Sequence, residues 1–240
     1  MRQIRNLFEQ MNSMLNLVGI YPAKAYYFAR GLCYFLRDYR DLRKQQKLSV
    51  DNIQFGRFYP CLEDRWQAGG TTQGHYFYQD WLVASRIFHS KPMKHVDIGS
   101  RVDGFVAHVA SFREIEVLDI RPITNSIPNI IFRQADLMDS GFNLVDYCES
   151  ISSLHAIEHF GLGRYGDHID YAGHIKGLGN IYRMLKKGGK FYISVPIGQL
   201  RIEFNAHRVF SIKYLLQLFE GKYSIDTFSY VNDNSDLITK

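Results

Sequence analysis

The segment Asp97-Ile98-Gly99-Ser100-Arg101-Val102-Asp103-Gly104 follows a short apolar run, Lys94–Ile98. A glycine directly after a strand permits a tight turn and lets the backbone approach a ligand closely. Asp119 lies about 20 residues beyond Gly99, where a strand-end carboxylate can accept hydrogen bonds from both ribose hydroxyls of an adenine nucleoside. Asp136 comes after the next apolar run and can accept from an adenine amino group. The candidate cofactor-binding residues are therefore Asp97, Gly99, Ser100, Asp119 and Asp136. Farther on, His155-Ala156-Ile157-Glu158-His159 and Asn205-Ala206-His207-Arg208 carry imidazoles. Histidine is the default general base near neutral pH. His155, with Glu158 beside it, and His207 are the candidate catalytic residues, His155 being nearest a strand end.

His155–His159 also spells the H-x-x-E-H string of a zinc-protease class, whose histidines would share a helix face at i and i+4. Here it follows a strand in an alternating strand–helix pattern, so no metal is expected. Asp167, His168, Asp170 and His174 are ligand types, but their spacing suits no particular metal site. The Gly161–His174 stretch is rich in glycine and polar aromatics, a composition that suits a substrate loop. Within it Arg164 and Tyr165 suit a sugar or phosphosugar, by charge and by stacking.

These residues need a frame to position them. From residue 94 short apolar runs alternate with helical segments. Strands are expected at Lys94–Ile98, Glu114–Asp119, Ile130–Gln134, Leu144–Cys148, Phe191–Val195 and Ser224–Tyr230. Helices are expected over Phe105–Phe112, Leu154–Phe160, Ile175–Leu185 and Ile212–Phe219. The third of these should stop at Lys187-Gly188-Gly189, and Ser211 should cap the last. The pattern implies an α/β fold, a doubly wound and mostly parallel Rossmann-like sheet with ligands at the carboxyl ends of its strands. An N-terminal helical extension precedes it. That helix starts near Pro22, a favourable first-turn residue, and carries Ala25, Phe28, Ala29, Leu32, Phe35, Leu36, Tyr39 and Leu42 at helical spacing.

Charge divides the chain in the same way. Residues 1–57 hold ten Lys and Arg against four Asp and Glu, whereas residues 58–240 hold 19 against 20. The expected domains are thus a basic extension, 1–57, and a neutral ligand-binding domain, 58–240. A neutral body argues against a nucleic-acid partner. Residues 22–47 are expected to pack as a helix on the main domain; their basic amphipathic face would also suit an anionic membrane surface or an acidic partner. Three scattered cysteines, Cys33, Cys61 and Cys148, fit a reducing compartment. Lys24, Arg30 and Gly31 interrupt the apolar stretch Met14–Leu36, and no secretory leader pattern stands at the N-terminus. The expectation is a cytoplasmic protein, with the inner membrane face as a peripheral site for residues 22–47.

The region Gly74–Tyr230 resembles the class I S-adenosylmethionine (SAM) dependent methyltransferases, notably in Leu185-Lys186-Lys187-Gly188-Gly189-Lys190-Phe191-Tyr192-Ile193-Ser194-Val195-Pro196. More narrowly, Gly74–Asp80, Ser153–Gly161 and Phe204–Arg208 resemble a methyltransferase-like family catalogued as a domain of unknown function, DUF268, some of whose bacterial members accompany polysaccharide genes. The resemblance implies SAM as cofactor, with Asp97 and Gly99 at its methionine end, Asp119 at the ribose and Asp136 at the adenine. It also implies methylation of oxygen on a carbohydrate or other small acceptor. A dinucleotide reading would want G-x-G-x-x-G, and Arg101 stands at the second glycine. The alternative is a methyltransferase-like binding or scaffold protein without catalysis. Gly69–Asp80 is expected to close over the cofactor. The last antiparallel strand usual in such sheets is expected to be missing here, or the chain shortened.

Overall fold

The computed structural model describes residues 14–17, 19–50, 53–62, 64–66 and 74–239. Gly69–Gln73 of the expected closing segment, and residues 1–13, lie outside the described residues. The chain forms two compact units, Met1–Thr71 and Thr72–Lys240.

In the first unit, α1 (Pro22–Gln46) begins with proline in its first turn and ends on Arg43 and Lys44, which favour the negative end of the helix dipole. Residues 53–62 and 64–66 cover part of it. Trp66 packs against Tyr27 and Tyr34, with Arg30 over its ring, and Phe58 packs against Phe35 and Tyr39. Gly31 lies under Leu62, where a Cβ would have no room. Among the described residues no helix is long and apolar enough to cross a membrane.

The second unit is built on a five-stranded sheet in the order β3-β2-β1-β4-β5. Its strands are β1 (His95–Ile98), β2 (Ile115–Asp119), β3 (Ile130–Gln134), β4 (Cys148–Leu154) and β5 (Leu185–Ser194). All four pairings are parallel. One face packs on α2 (His75–Ser90) and on a π-turn over Val102–Val106 that runs into the short helix α3 (Ala107–Ala110). There Val83, Ile87, Phe105, Val109, Ile115, Val117 and Leu154 form a core. The other face packs on α4 (Gly173–Met184) and α5 (Ile212–Phe219), burying Val96, Ile98, Leu118, Ile151, Leu178, Ile181 and Leu215. Alternate residues of one strand thus serve opposite cores, as a doubly wound sheet requires. The expected α/β architecture is what the chain adopts.

Several elements differ from expectation, among them the helix expected over Phe105–Phe112, which is the π-turn and α3. The fourth strand is Cys148–Leu154, not Leu144–Cys148, because its serines are buried and satisfied. Ser150 and Ser152 each lie within hydrogen-bond distance of the His95 ring, Ser152 also donates to Asp97, and Ser153 donates to the Ile98 carbonyl. A helix over Leu154–Phe160 does not form; one 3-10 turn, Ile157–His159, stands there instead. The fifth strand starts at Leu185, directly after α4, so Lys187-Gly188-Gly189 lies inside a strand and does not cap a helix. Gly188 takes φ +78° opposite a register shift at Cys148/Ser150, a bulge that suits glycine.

The remaining strands leave the sheet. β6 (Arg201–Glu203) pairs antiparallel with β7 (His207–Val209), and β8 (Ser229–Val231) with β9 (Leu237–Thr239). The expected sixth strand, Ser224–Tyr230, is therefore a short hairpin arm outside the central sheet. α5 begins where expected, with Ser211 accepting from the Tyr214 N–H.

Candidate active site

The carboxyl ends of β1, β2 and β4 open into one cleft, lined by Gly99, Asp119, Asp136, His155, Glu158, His159 and His207 among others. The sheet register sets this up. Ile98 pairs with Leu118, and Leu154 with Ser194, so Gly99, Asp119 and His155 leave neighbouring strand ends.

Gly99 turns with φ +68°, donates its N–H to the Leu118 carbonyl, and lies so close to Ala156 that a Cβ would stand 3.0 Å from the alanine methyl. Asp97 is fully buried beneath this turn and is absent from the cleft wall. Its oxygens accept from the Ser100 N–H at 3.0 Å, the Ser100 hydroxyl at 2.7 Å and the Ser152 hydroxyl at 2.5 Å. Burial pushes its pKa up to about 6, against the downward pull of those bonds. Ser100 is buried too and accepts from the Leu154 N–H. The side chains of Asp97 and Ser100, both expected at a cofactor, brace the loop that presents Gly99 and do not line the cleft.

Asp119 and Asp136 do line it. Asp136 uses Oδ1 to accept the Met138 N–H at 2.8 Å. Asp119 accepts from Arg121 three times, from the backbone N–H at 2.8 Å, Nε at 3.0 Å and Nη2 at 2.7 Å. This bidentate clasp was not foreseen, though an arginine two residues beyond a strand-end acid was its visible signal. The Arg121 guanidinium also lies over the Tyr165 ring, 4.4 Å from its centroid, with Arg164 at 5.2 Å. Tyr165 therefore carries two cations, and its ring is not free to stack a sugar in the way expected. Arg101, where a second glycine would stand, pairs with Asp103 and lies near Tyr76. Gly104 makes room for Asp80, whose carboxylate a Cβ would meet at 2.7 Å; burial raises the Asp80 pKa.

An imidazole group lines the same cleft. His155 closes β4 with φ +53°, a left-handed conformation costing about 1–3 kcal/mol in a non-glycine residue. Its N–H donates to Ser194, and its Nδ1 lies 2.8 Å from Glu158 Oε1. Glu158 is 1% exposed, and its Oε2 has no hydrogen-bond partner. Glu158 therefore fixes the His155 ring with Nδ1–H toward the carboxylate, which leaves Nε2 as the basic nitrogen. His75 and Tyr76 of α2 pack on the same ring at 4.8 and 5.2 Å between centroids. Burial first, then repulsion from His155, lowers the His75 pKa, with Glu158 opposing.

His159 donates Nδ1–H to the Ala206 carbonyl at 2.6 Å, and its ring stands 6.4 Å from that of His207. Burial dominates the lowering of its pKa. His155 and His159 leave a strand end and a 3-10 turn, so the helix-face geometry of a zinc motif is absent. Among the described residues no group of three or more His, Cys, Asp or Glu could hold a metal ion. In the Gly161–His174 stretch, Asp167 accepts from the N–H groups of Gly161, Gly163 and Tyr165, Asp170 pairs with Lys176, and His174 bonds the Tyr214 hydroxyl. These residues shape the loop.

One further residue holds the constellation together. Arg208 is 3% exposed and donates to the carbonyls of Phe160 at 2.5 Å, Tyr171 at 3.1 Å, Glu158 at 3.4 Å and Asp170 at 3.5 Å. Its fork ties both ends of the 158–171 loop to β7. Burial lowers its pKa.

Comparison with solved structures returns methyltransferases at low identity. A provisionally assigned sarcosine dimethylglycine methyltransferase from Galdieria sulphuraria is 16% identical, with TM-score 0.47, over 62% of this chain and 61% of its own. Human N-acetylserotonin methyltransferase, solved in complex with SAM, is 12% identical, with TM-score 0.46, over 65% of this chain and 48% of its own. An O-methyltransferase family protein from Burkholderia thailandensis is 10% identical, with TM-score 0.46, over 67% and 54%. The chain thus spans less than two thirds of the length of each of these three. Comparison with curated protein sequences finds no match. A family model does match residues 109–240, more than half of the sequence, and the chain belongs to that family, described as Caenorhabditis protein of unknown function, DUF268.

Proposed function

We propose that the second unit is a SAM-dependent methyltransferase that methylates a hydroxyl of a carbohydrate or other small acceptor. The observation that carries this reading is one cleft lined both by Gly99, Asp119 and Asp136 and by the hydrogen-bonded His155–Glu158 pair. The acids match a nucleoside: Asp119 has two oxygens for a ribose diol, and Asp136 an acceptor for an adenine amino group. The close approach of backbone at Gly99 leaves room for an extended sulfonium side chain, and the absence of a glycine at Arg101 suits a cofactor without a pyrophosphate.

SAM supplies an activated methyl group for in-line displacement. The residues of the chain position the acceptor. His155 Nε2 takes the hydroxyl proton as the oxygen attacks, and Glu158 stabilises the imidazolium that results. The buried surroundings of Glu158 strengthen that interaction. His207 is the second candidate base, at the far side of His159.

A reading without catalysis has one observation in its favour: Arg121 occupies the Asp119 oxygens that a ribose would use. Isothermal titration of the full chain with SAM tests the proposal. Wild type is expected to bind, and Asp119→Ala to lose at least tenfold in affinity. An absence of heat with wild type would overturn the proposal. Binding without methyl transfer to any acceptor would favour the scaffold reading.

A further inference from the structure

We propose that the acceptor side of the cleft contains an oxyanion subsite formed by Arg164 and His207, so that the acceptor carries a phosphate or carboxylate group besides its hydroxyl. The word acceptor rests on the methyltransferase reading; the subsite itself does not.

His155, His159, Arg164 and His207 line the same cleft as Asp119 and Asp136. Asp119 is clasped by Arg121, and the carboxylates beside the imidazoles are engaged as well. Glu158 holds His155, and Asp167 is saturated by three backbone N–H groups. Arg164 is exposed and, among the described residues, makes no ion pair; its one hydrogen bond sends Nη1 to the Ala206 carbonyl at 3.1 Å. The same carbonyl takes His159 Nδ1 at 2.6 Å. One oxygen therefore gathers a guanidinium and an imidazole at the residue preceding His207. The remaining ring nitrogen of His159 lies 3.8 Å from Glu158 Oε1, so His159 has its carboxylate, whereas Arg164 and His207 make no ion pair among the described residues.

Burial most disfavours a charged His159; the Glu158 carboxylate and the Ala206 carbonyl favour it, and repulsion from Arg164 and His207 opposes them. An oxyanion between Arg164 and His207 relieves that repulsion, and the guanidinium fork offers a second nitrogen, Nη2, for the contact. The anion would then lie beyond His159 from the His155–Glu158 pair, placing the rest of the molecule, with its hydroxyl, toward His155.

The test uses the full chain without cofactor. Imidazole resonances of His207 and His159 are followed by NMR during titration with inorganic phosphate and, separately, acetate. Saturable movement of His207 is expected with at least one of them, and the tighter anion identifies the group. Arg164→Gln keeps a donor for Ala206 and should weaken binding at least fivefold. Arg164→Lys keeps the charge and should stay within threefold of wild type. Unmoved His207 resonances with both anions, or unchanged affinity in Arg164→Gln, would overturn the proposal. Since no SAM is present, failure of the methyltransferase reading would show separately.

Discussion

Replacing Arg208 by methionine should destabilise the second unit strongly, although the residue touches no reacting group. The methionine keeps an apolar stem but removes every donor of the guanidinium. Two short bonds are lost, to Phe160 and Tyr171, and two long ones, to Glu158 and Asp170. The Tyr171 and Asp170 carbonyls belong to residues that retain exposure and can recover water. Glu158 is buried and Phe160 half-buried, so their carbonyls pay more, at about 1–3 kcal/mol for each buried unpaired group. Relief from burying a charge offsets part of this. The net expectation is about 3–4 kcal/mol, at the upper end for single substitutions. For a unit of the size of Thr72–Lys240 that is a fall in Tm of about 6–16 °C. Urea unfolding followed by circular dichroism measures it, with the m-value unchanged. Arg208→Lys should recover less than half, since one ammonium cannot span both carbonyl pairs. Hydrogen exchange should quicken first in the 158–171 loop. An Arg208→Met protein within 1 kcal/mol of wild type would refute the claim that this fork holds the loop.

Gly161→Ala should lose at least about 3 kcal/mol, because its φ is +75° and a Cβ would stand 2.0 Å from the Asp170 carbonyl oxygen; a normal melting curve would contradict that packing. Asp97 has a folded pKa raised to about 6, so its stabilising contribution is full below the ordinary carboxylate range and is lost as pH rises through 6, by about 3 kcal/mol in all. His95, depressed by burial to about 3, acts oppositely, its contribution being lost as pH falls from 6.5 toward 3. Subtracting urea curves of Asp97→Asn from those of wild type between pH 4 and 7 isolates the aspartate; a flat difference would count against its buried charge. Arg121→Ala should release the Asp119 oxygens and tighten SAM about threefold to tenfold, equivalent to roughly 1 kcal/mol, and titration calorimetry showing weaker binding would reverse the role given to Arg121.

The parts of the fold legible in the sequence were those governed by local pattern. The residue range of β3, Ile130–Gln134, and the Ser211 cap of α5 follow from apolar spacing and one hydroxyl, and both stand where expected. β4 lies later than expected because Ser150, Ser152 and Ser153 interrupt the apolar pattern that marks a strand. Their burial depends on His95 and Asp97 from a neighbouring strand, a pairing that no local pattern encodes. The same applies to the site. Asp119, Asp136, His155 and Glu158 were visible from type and spacing, and all line the cleft. The bracing role of Asp97, the clasp of Arg121 and the fork of Arg208 depend on contacts across 2 to 55 residues of sequence. Of these only the Arg121 clasp, two residues from its acid, had a local signal.

The proposed binding of SAM in this cleft is tested by a crystal structure of the full chain with S-adenosylhomocysteine, the demethylated product. Ribose hydroxyls are expected on Asp119 with the Arg121 side chain displaced, the adenine amino group at Asp136, and the sulfur facing His155. Product bound elsewhere, or Arg121 still clasping Asp119 in crystals grown at saturating product, would contradict it.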